Sequence, residues 1–189
     1  MREIRESPKK KQRAKECKKE TACLNRFASF YPRLSKALKR GDILCRVTHN
    51  DTKFSNLLFD TERHEVVSAL DFGTMTEGTP LYDFGDGCCS ACDEAEESER
   101  NWRKISFSLE KFQVFSEGYL HSAKSILDEK ERSFLAESVL LLALELALRF
   151  LEDSLRGDVY FALERPDDSL VRAGGRSLWP KTSKRSSRR

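Results

Sequence analysis

His49-Asn50-Asp51-Thr52-Lys53-Phe54-Ser55-Asn56, followed by Asp71-Phe72-Gly73, is the stretch that decides how this chain reads, and Asp71 lies fifteen residues past Asn56. Phosphoryl transfer from a magnesium-bound nucleotide needs an acceptor for the substrate hydroxyl proton, oxygens for Mg²⁺ and a cation near the transferring group. Asp51 offers a carboxylate that can orient a hydroxyl and accept its proton. Asn56 and Asp71 offer a neutral and an anionic hard oxygen to Mg²⁺, which takes few protein ligands and completes its shell from phosphate and water. Lys53 is either a mobile point charge beside the phosphoryl group or an exposed loop lysine. An isolated Asp at such a place caps a turn as readily as it does chemistry. The five-residue step to Asn56, the lysine at plus two and the downstream Leu70-Asp71-Phe72-Gly73 tip the balance to chemistry. His49 reads as a structural ring packed under the loop, its nitrogens bonded to backbone.

On either side of the motif, apolar periodicity gives a mostly α chain with one small β-hairpin. Leu24, Phe27, Phe30, Leu34 and Leu38 recur at helical steps, with a possible break at Pro32 and a stop at Gly41-Asp42. Residues 43–47 read as a short strand leading into the motif. Leu57-Leu58-Phe59 and the run from Val66 to Leu70 read as two strands of a hairpin, which would bring Asn56 and Asp71 together. Ser106 to Leu127 is expected to be helical. Glu131 to Leu155 is expected to form the most apolar helix, capped by Gly157.

The chain has 189 residues, of which 39% are hydrophobic and 12 are Phe, enough for one compact core. Its net charge of +3 hides an uneven distribution. Residues 1–20 hold nine Lys/Arg against four Asp/Glu, and residues 172–189 hold seven Lys/Arg and no acid, which leaves a net −9 between them. Residues 1–20 and 173–189 therefore read as basic, disordered tails around a folded segment 21–172. Nucleic-acid binding through these tails is the weakest reading, because no aromatic interleaves with the first and only Trp179 with the second.

The N-terminus has no apolar signal segment, so the six cysteines point to a reducing cytoplasm rather than a disulfide framework. Cys89 and Cys92 have the spacing of half a zinc site, but no second pair completes it, and small buried or surface thiols are expected instead. The run from Val139 to Leu151 is too short and too charged to span a bilayer.

Residues 46–56, Leu70-Asp71-Phe72-Gly73 and Leu81-Tyr82-Asp83-Phe84-Gly85-Asp86 resemble the aminoglycoside phosphotransferase-like kinases, most closely their N-acetylhexosamine 1-kinase branch. The likeness continues through Phe107-Ser108-Leu109, Glu117-Gly118-Tyr119, residues 149–153 and 157–161 to Arg165-Pro166-Asp167. The resemblance implies the C-terminal lobe of a protein-kinase-like fold, with ATP and Mg²⁺ as cosubstrates and an amino sugar phosphorylated on its anomeric hydroxyl. It puts Asp51 at the catalytic base, Asn56 and Asp71 at the metal, and Arg149 and Tyr160 at the sugar, with Lys53 expected to assist Asp51. For Arg149 a simple intrahelical pair with Glu145 is the competing reading. Tyr160 could equally be a core ring with a satisfied hydroxyl.

Choline, homoserine or an aminoglycoside are alternative acceptors. A non-catalytic module that binds sugar or a partner lobe is an alternative of another class. After Asp86 the chain carries Gly87-Cys88-Cys89-Ser90 where the resembled kinases carry larger residues and an aromatic, so one wall of the sugar pocket is expected to differ. Only 48 residues precede His49, and they contain a single glycine, Gly41. The ATP-gripping N-terminal lobe, with its Gly-rich loop and lysine, is therefore expected to be missing or encoded by an adjacent coding region. On this reading the chain alone has little or no kinase activity.

Overall fold

The structure, a computed structural model, describes residues 8–101 and 103–186. In chain order it forms α1 (Pro8–Glu16), α2 (Lys18–Asn25), α3 (Arg33–Lys39), β1 (Arg46–Thr48), β2 (Leu57–Asp60), β3 (Glu65–Ala69), β4 (Thr76–Gly78), α4 (Pro80–Cys92), α5 (Leu109–Ala123), α6 (Glu129–Ser133), α7 (Leu135–Arg156) and α8 (Asp168–Ser186). The fold is mostly α with a small antiparallel β component, as the periodicity implies. The chain divides into two compact units where composition suggested one domain.

One unit comprises residues 32–93 and 108–142. The expected helix across Pro32 is two helices parted by turns over residues 26–32, in which Phe27, Ala28 and Phe30 bond three residues back, and Pro32, which has no N–H to donate, stands at the N-cap of α3. α2 stops at Asn25 and α3 begins after Pro32. α3 ends as the sequence requires: Gly41 at φ +71° lets its N–H reach the carbonyl of Leu38 and the N–H of Asp42 reach that of Ala37. β1 then pairs antiparallel with β4, Arg46 opposite Gly78, a pairing the sequence did not announce. Hairpin β2–β3 matches expectation, with Leu57 opposite Ala69 and a register shift between Leu58 and Phe59.

α4 opens on an N-cap, Thr79, followed by Pro80 at the first helical position. Its buried face carries Leu81, Phe84, Cys88 and Cys92, and the Phe84 ring packs on those of Phe112, Phe115 and Tyr119 from α5. A Cβ on Gly85 would lie 2.9 Å from the Ser138 carbonyl, so glycine permits the close approach of α4 to the first turns of α7. Cys88 and Cys92 lie with their sulfurs 3.5 Å apart, and Cys89 donates to the carbonyl of Val139 at 3.6 Å. These three thiols are buried, and no metal-holding group of three or more His, Cys, Asp or Glu exists among the described residues.

Glu131, fully buried, ties this unit together. It accepts from the N–H of Leu44 at 3.0 Å, from the N–H of Asp128 at 3.1 Å and from the Arg46 guanidinium. Burial would raise its carboxyl, but Arg46 and these two N–H groups outweigh burial and hold it below the usual carboxylate range. The expected helix from Glu131 is thereby interrupted. Asp128 and Glu131 close a capping box on the short α6, and α7 starts afresh at Leu135.

The other unit comprises the described residues up to Tyr31, residues 94–107 and those from Ala143 onward. Within residues 8–20 of the stretch read as an N-terminal tail, α1 and the start of α2 are helical, and Cys17 and Glu20 are buried. Arg13 donates to Asp158 Oδ2 and to the Ser154 carbonyl, each at 2.6 Å. The stretch read as a C-terminal tail from residue 173 is likewise helical to Ser186, with Ala173, Arg176 and Ser177 buried. Small residues explain the difference: a Cβ on Gly175 would lie 3.0 Å from Ile105 Cδ1, and Cys23 donates to the Ser177 carbonyl at 3.7 Å. Composition registered the charges of this segment but not its narrow, packable face. The expected disorder of residues 1–7 and 187–189 lies outside the described residues.

Candidate active site

The motif loop follows β1 directly and is fixed from one side by α4. Asn50 has φ +62°, a conformation asparagine tolerates better than most residues. The carboxylate of Asp83 accepts the N–H of His49 at 3.0 Å on one oxygen and the N–H of Asn50 at 2.7 Å on the other. One turn on, Asp86 accepts the N–H of Thr52 at 2.7 Å, while the Thr52 hydroxyl donates to the Asp83 carbonyl at 2.6 Å. Gly87 leaves room for this contact, since a Cβ there would meet the Thr52 carbonyl at 3.4 Å and Phe115 at 3.0 Å. Asp83 and Asp86 belong to a stretch whose pattern is visible in the sequence, but nothing in that pattern says which N–H groups they hold.

Between those anchors, Asp51 is presented with its surroundings ordered. Its Oδ2 accepts from Asn56 Nδ2 at 2.7 Å and pairs with Lys53 Nζ at 2.9 Å. Asn56 Nδ2 also donates to the Asp51 main-chain carbonyl at 2.8 Å. Two acceptors on one amide nitrogen fix the amide's orientation, which turns Asn56 Oδ1 away from Asp51 as an available donor atom. Asp51 Oδ1 makes no hydrogen bond with the described residues. Hydrogen bonding to Asp51 raises the Lys53 ammonium above its ordinary value, with Asp86 and Asp71 adding to the same effect. Burial, together with the negative charge of Asp51, pushes the Asp86 carboxyl up against the opposing N–H of Thr52.

The hairpin delivers Asp71 next to Asn56, as its strand spacing implies. The N–H of Leu70 donates to the Asn56 carbonyl at 2.8 Å, and Asp71 follows at φ +58°, ψ +57°. The Asp71 side chain is exposed, whereas Asn56 is buried. His49 is structural in part: Nε2 lies 2.9 Å from the Leu70 carbonyl and the ring packs on Phe72, but Nδ1 is buried without a partner. Asp71 lies near enough to Lys53 to help raise its ammonium, and Asn56 Oδ1 and the Asp71 carboxylate are both hard oxygens of the kind Mg²⁺ takes.

Arg149 and Tyr160 belong to the other unit. Arg149 is exposed, and no ion pair joins it to Glu145 among the described residues, so the simple intrahelical reading does not hold. Tyr160 is 79% exposed and is not a core ring. The turn carrying it is organised by Asp153, which closes the resembled stretch 149–153 but has no role assigned to it by the sequence. Its buried carboxylate accepts the N–H groups of Val159 and Tyr160 at 2.9 Å each, that of Phe161 at 3.3 Å, and the Ser169 hydroxyl at 3.1 Å. Burial opposes ionisation of Asp153, but those donors outweigh it and hold the carboxyl below its usual range.

A sequence model of the phosphotransferase enzyme family, APH, matches residues 3–108, a span that contains the whole motif loop, hairpin β2–β3 and α4. The chain belongs to the phosphotransferase enzyme family. Among the described residues no helix is long and apolar enough to cross a membrane.

Proposed function

We propose that this chain carries the acceptor and metal side of an ATP-dependent kinase that phosphorylates the anomeric hydroxyl of an N-acetylhexosamine. The observation that carries the kinase reading is the division of labour around Asp51. One carboxylate oxygen is occupied by Lys53 and Asn56, and the other is left for a substrate hydroxyl. Asp51 Oδ1 orients that hydroxyl and accepts its proton as the bond to phosphorus forms. Lys53, already charged beside Asp51, moves toward the transferring phosphoryl when substrate displaces it. Asn56 Oδ1 and Asp71 would hold Mg²⁺, which supplies charge neutralisation on the nucleotide phosphates.

The sugar reading rests on the likeness of residues 149–161 and is supported by an exposed Arg149 without a helical partner and an exposed Tyr160. A Gly-rich phosphate loop with its lysine has no counterpart among the described residues, so turnover by this chain alone is expected to be very slow or nil. The test is therefore binding first. Titration of the isotope-labelled chain with N-acetylglucosamine should shift the NMR signals of Arg149 and Tyr160, and Arg149→Ala should weaken binding about tenfold, the scale of one charged hydrogen bond. Shifts induced by choline, homoserine or an aminoglycoside instead would replace the acceptor. Sugar 1-phosphate formed from ATP by the chain at a substantial rate, and abolished by Asp51→Asn, would overturn the expectation of inactivity while keeping the chemistry.

A further inference from the structure

A single helical turn cannot satisfy its own first N–H groups, so the donor that opens it needs a partner from elsewhere. The 3-10 turn Phe54–Asn56 is such a case. Lys53, at its N-cap position, provides no side-chain cap. The turn is closed by the N–H of Asn56 on the Lys53 carbonyl at 2.9 Å and by the N–H of Leu57 on the Phe54 carbonyl, which leaves the N–H of Phe54 itself without a partner inside the turn. The missing partner comes from α4, where the Ser90 hydroxyl accepts the N–H of Phe54 at 3.0 Å.

Ser90 completes a pattern on that helix. Asp83, Asp86 and Ser90 follow one another at helical steps of three and four residues, which places them along one face. They accept, in the same order, the N–H groups of His49 and Asn50, of Thr52, and of Phe54. The two carboxylates hold the backbone on either side of Asp51. The hydroxyl at the far end holds the turn that carries Asn56.

We propose that Ser90 is a positioning residue for Asn56: by fixing the first N–H of the turn, it sets where the Asn56 amide stands relative to Asp51 and Asp71. The motif Gly87-Cys88-Cys89-Ser90, which departs from the resembled kinases, thereby acquires a role in holding the metal side of the site. The purpose of that positioning rests on the proposed metal role of Asn56. The hold on the turn itself does not.

The test compares the full chain with Ser90→Ala and Ser90→Thr by NMR, using amide exchange and Mn²⁺ as a paramagnetic probe. In Ser90→Ala, exchange at the N–H groups of Phe54 and Asn56 should quicken about fivefold to tenfold, the scale of one hydrogen bond, with amides of α7 unchanged. Mn²⁺ broadening at Asn56 should fall relative to that at Asp71. Ser90→Thr, which keeps the hydroxyl, should restore both. Unchanged exchange at Phe54 and Asn56 in Ser90→Ala overturns the proposal, as does a Ser90→Thr chain that behaves like the alanine variant. If Mn²⁺ broadens neither Asn56 nor Asp71 in the unsubstituted chain, the metal reading of the site falls, while the exchange rates still decide whether Ser90 fixes the turn.

Discussion

Two loops of this molecule are shaped by carboxylates that collect backbone N–H groups, and they do it differently. The motif loop 49–54 is shared among three acceptors, Asp83, Asp86 and Ser90, distributed along one helix. The N–H groups of the turn 159–161 all go to Asp153, a carboxylate only 3% exposed that also takes a serine hydroxyl, while the Phe161 ring packs on Phe150. Sharing lets the first loop keep two charges, Asp51 and Lys53, close to other carboxylates without any single contact deciding its course. Concentration lets the second present exposed side chains, Val159 at 74% and Tyr160 at 79%, from one buried point. The concentrated design is the more fragile.

That contrast breaks most visibly at Asp153. Asp153→Ala removes four accepted hydrogen bonds from a buried position and should destabilise the fold by about 3–4 kcal/mol, read as a lowered urea midpoint. Asp83→Ala removes two backbone contacts from a half-buried, shared arrangement, and a loss of about 2 kcal/mol is expected, together with faster amide exchange at His49 and Asn50. If Asp83→Ala proves the costlier of the two, the distinction between shared and concentrated support is wrong.

Acid should sharpen the comparison further. Asp153 and Glu131 are both held below the usual carboxylate range, so their stabilisation is fully present above an ordinary carboxylate value of about 4 and disappears as pH falls through their lowered values. A urea series taken at decreasing pH should show stability falling in that acid window, and Asp153→Asn should flatten part of the fall. Asp86 has the opposite sign. Its carboxyl is raised by burial, so its ionisation costs stability as pH rises from about 4 through the raised value. Asp86→Asn keeps an oxygen for the Thr52 N–H, removes that pH-dependent cost and should change neutral-pH stability by less than about 1 kcal/mol, the smallest effect of the series.

Much of this was legible beforehand where the causes are local. Gly41 stops α3 because only a left-handed residue lets two N–H groups turn back onto the helix, and glycine adopts that conformation without steric cost. The two short apolar runs at 57–59 and 66–70, parted by the polar stretch 60–65, specified a hairpin, and its pairing brings Leu70, next to Asp71, onto Asn56. The basic ends misled, because net charge measures solvation and says nothing about the small residues through which Ala173 and Gly175 pack. Glu131 misled in another way. It reads as the first residue of the long apolar helix, yet its carboxylate is taken up by Arg46, Leu44 and the cap of α6.

The sequence by itself determined the chemistry on offer: a carboxylate, a lysine and two hard oxygen donors at fixed spacings, with a hairpin between the donors. Only the tertiary structure decided how that chemistry is held. The partners of the motif loop's N–H groups lie more than thirty residues downstream on α4, and β1 finds its partner in β4 across the intervening hairpin. A backbone N–H has no identity in sequence until the fold brings an acceptor to it. The half-buried acceptors at Asp83, Asp86 and Ser90 and the buried one at Asp153 therefore became readable only when their donors could be named.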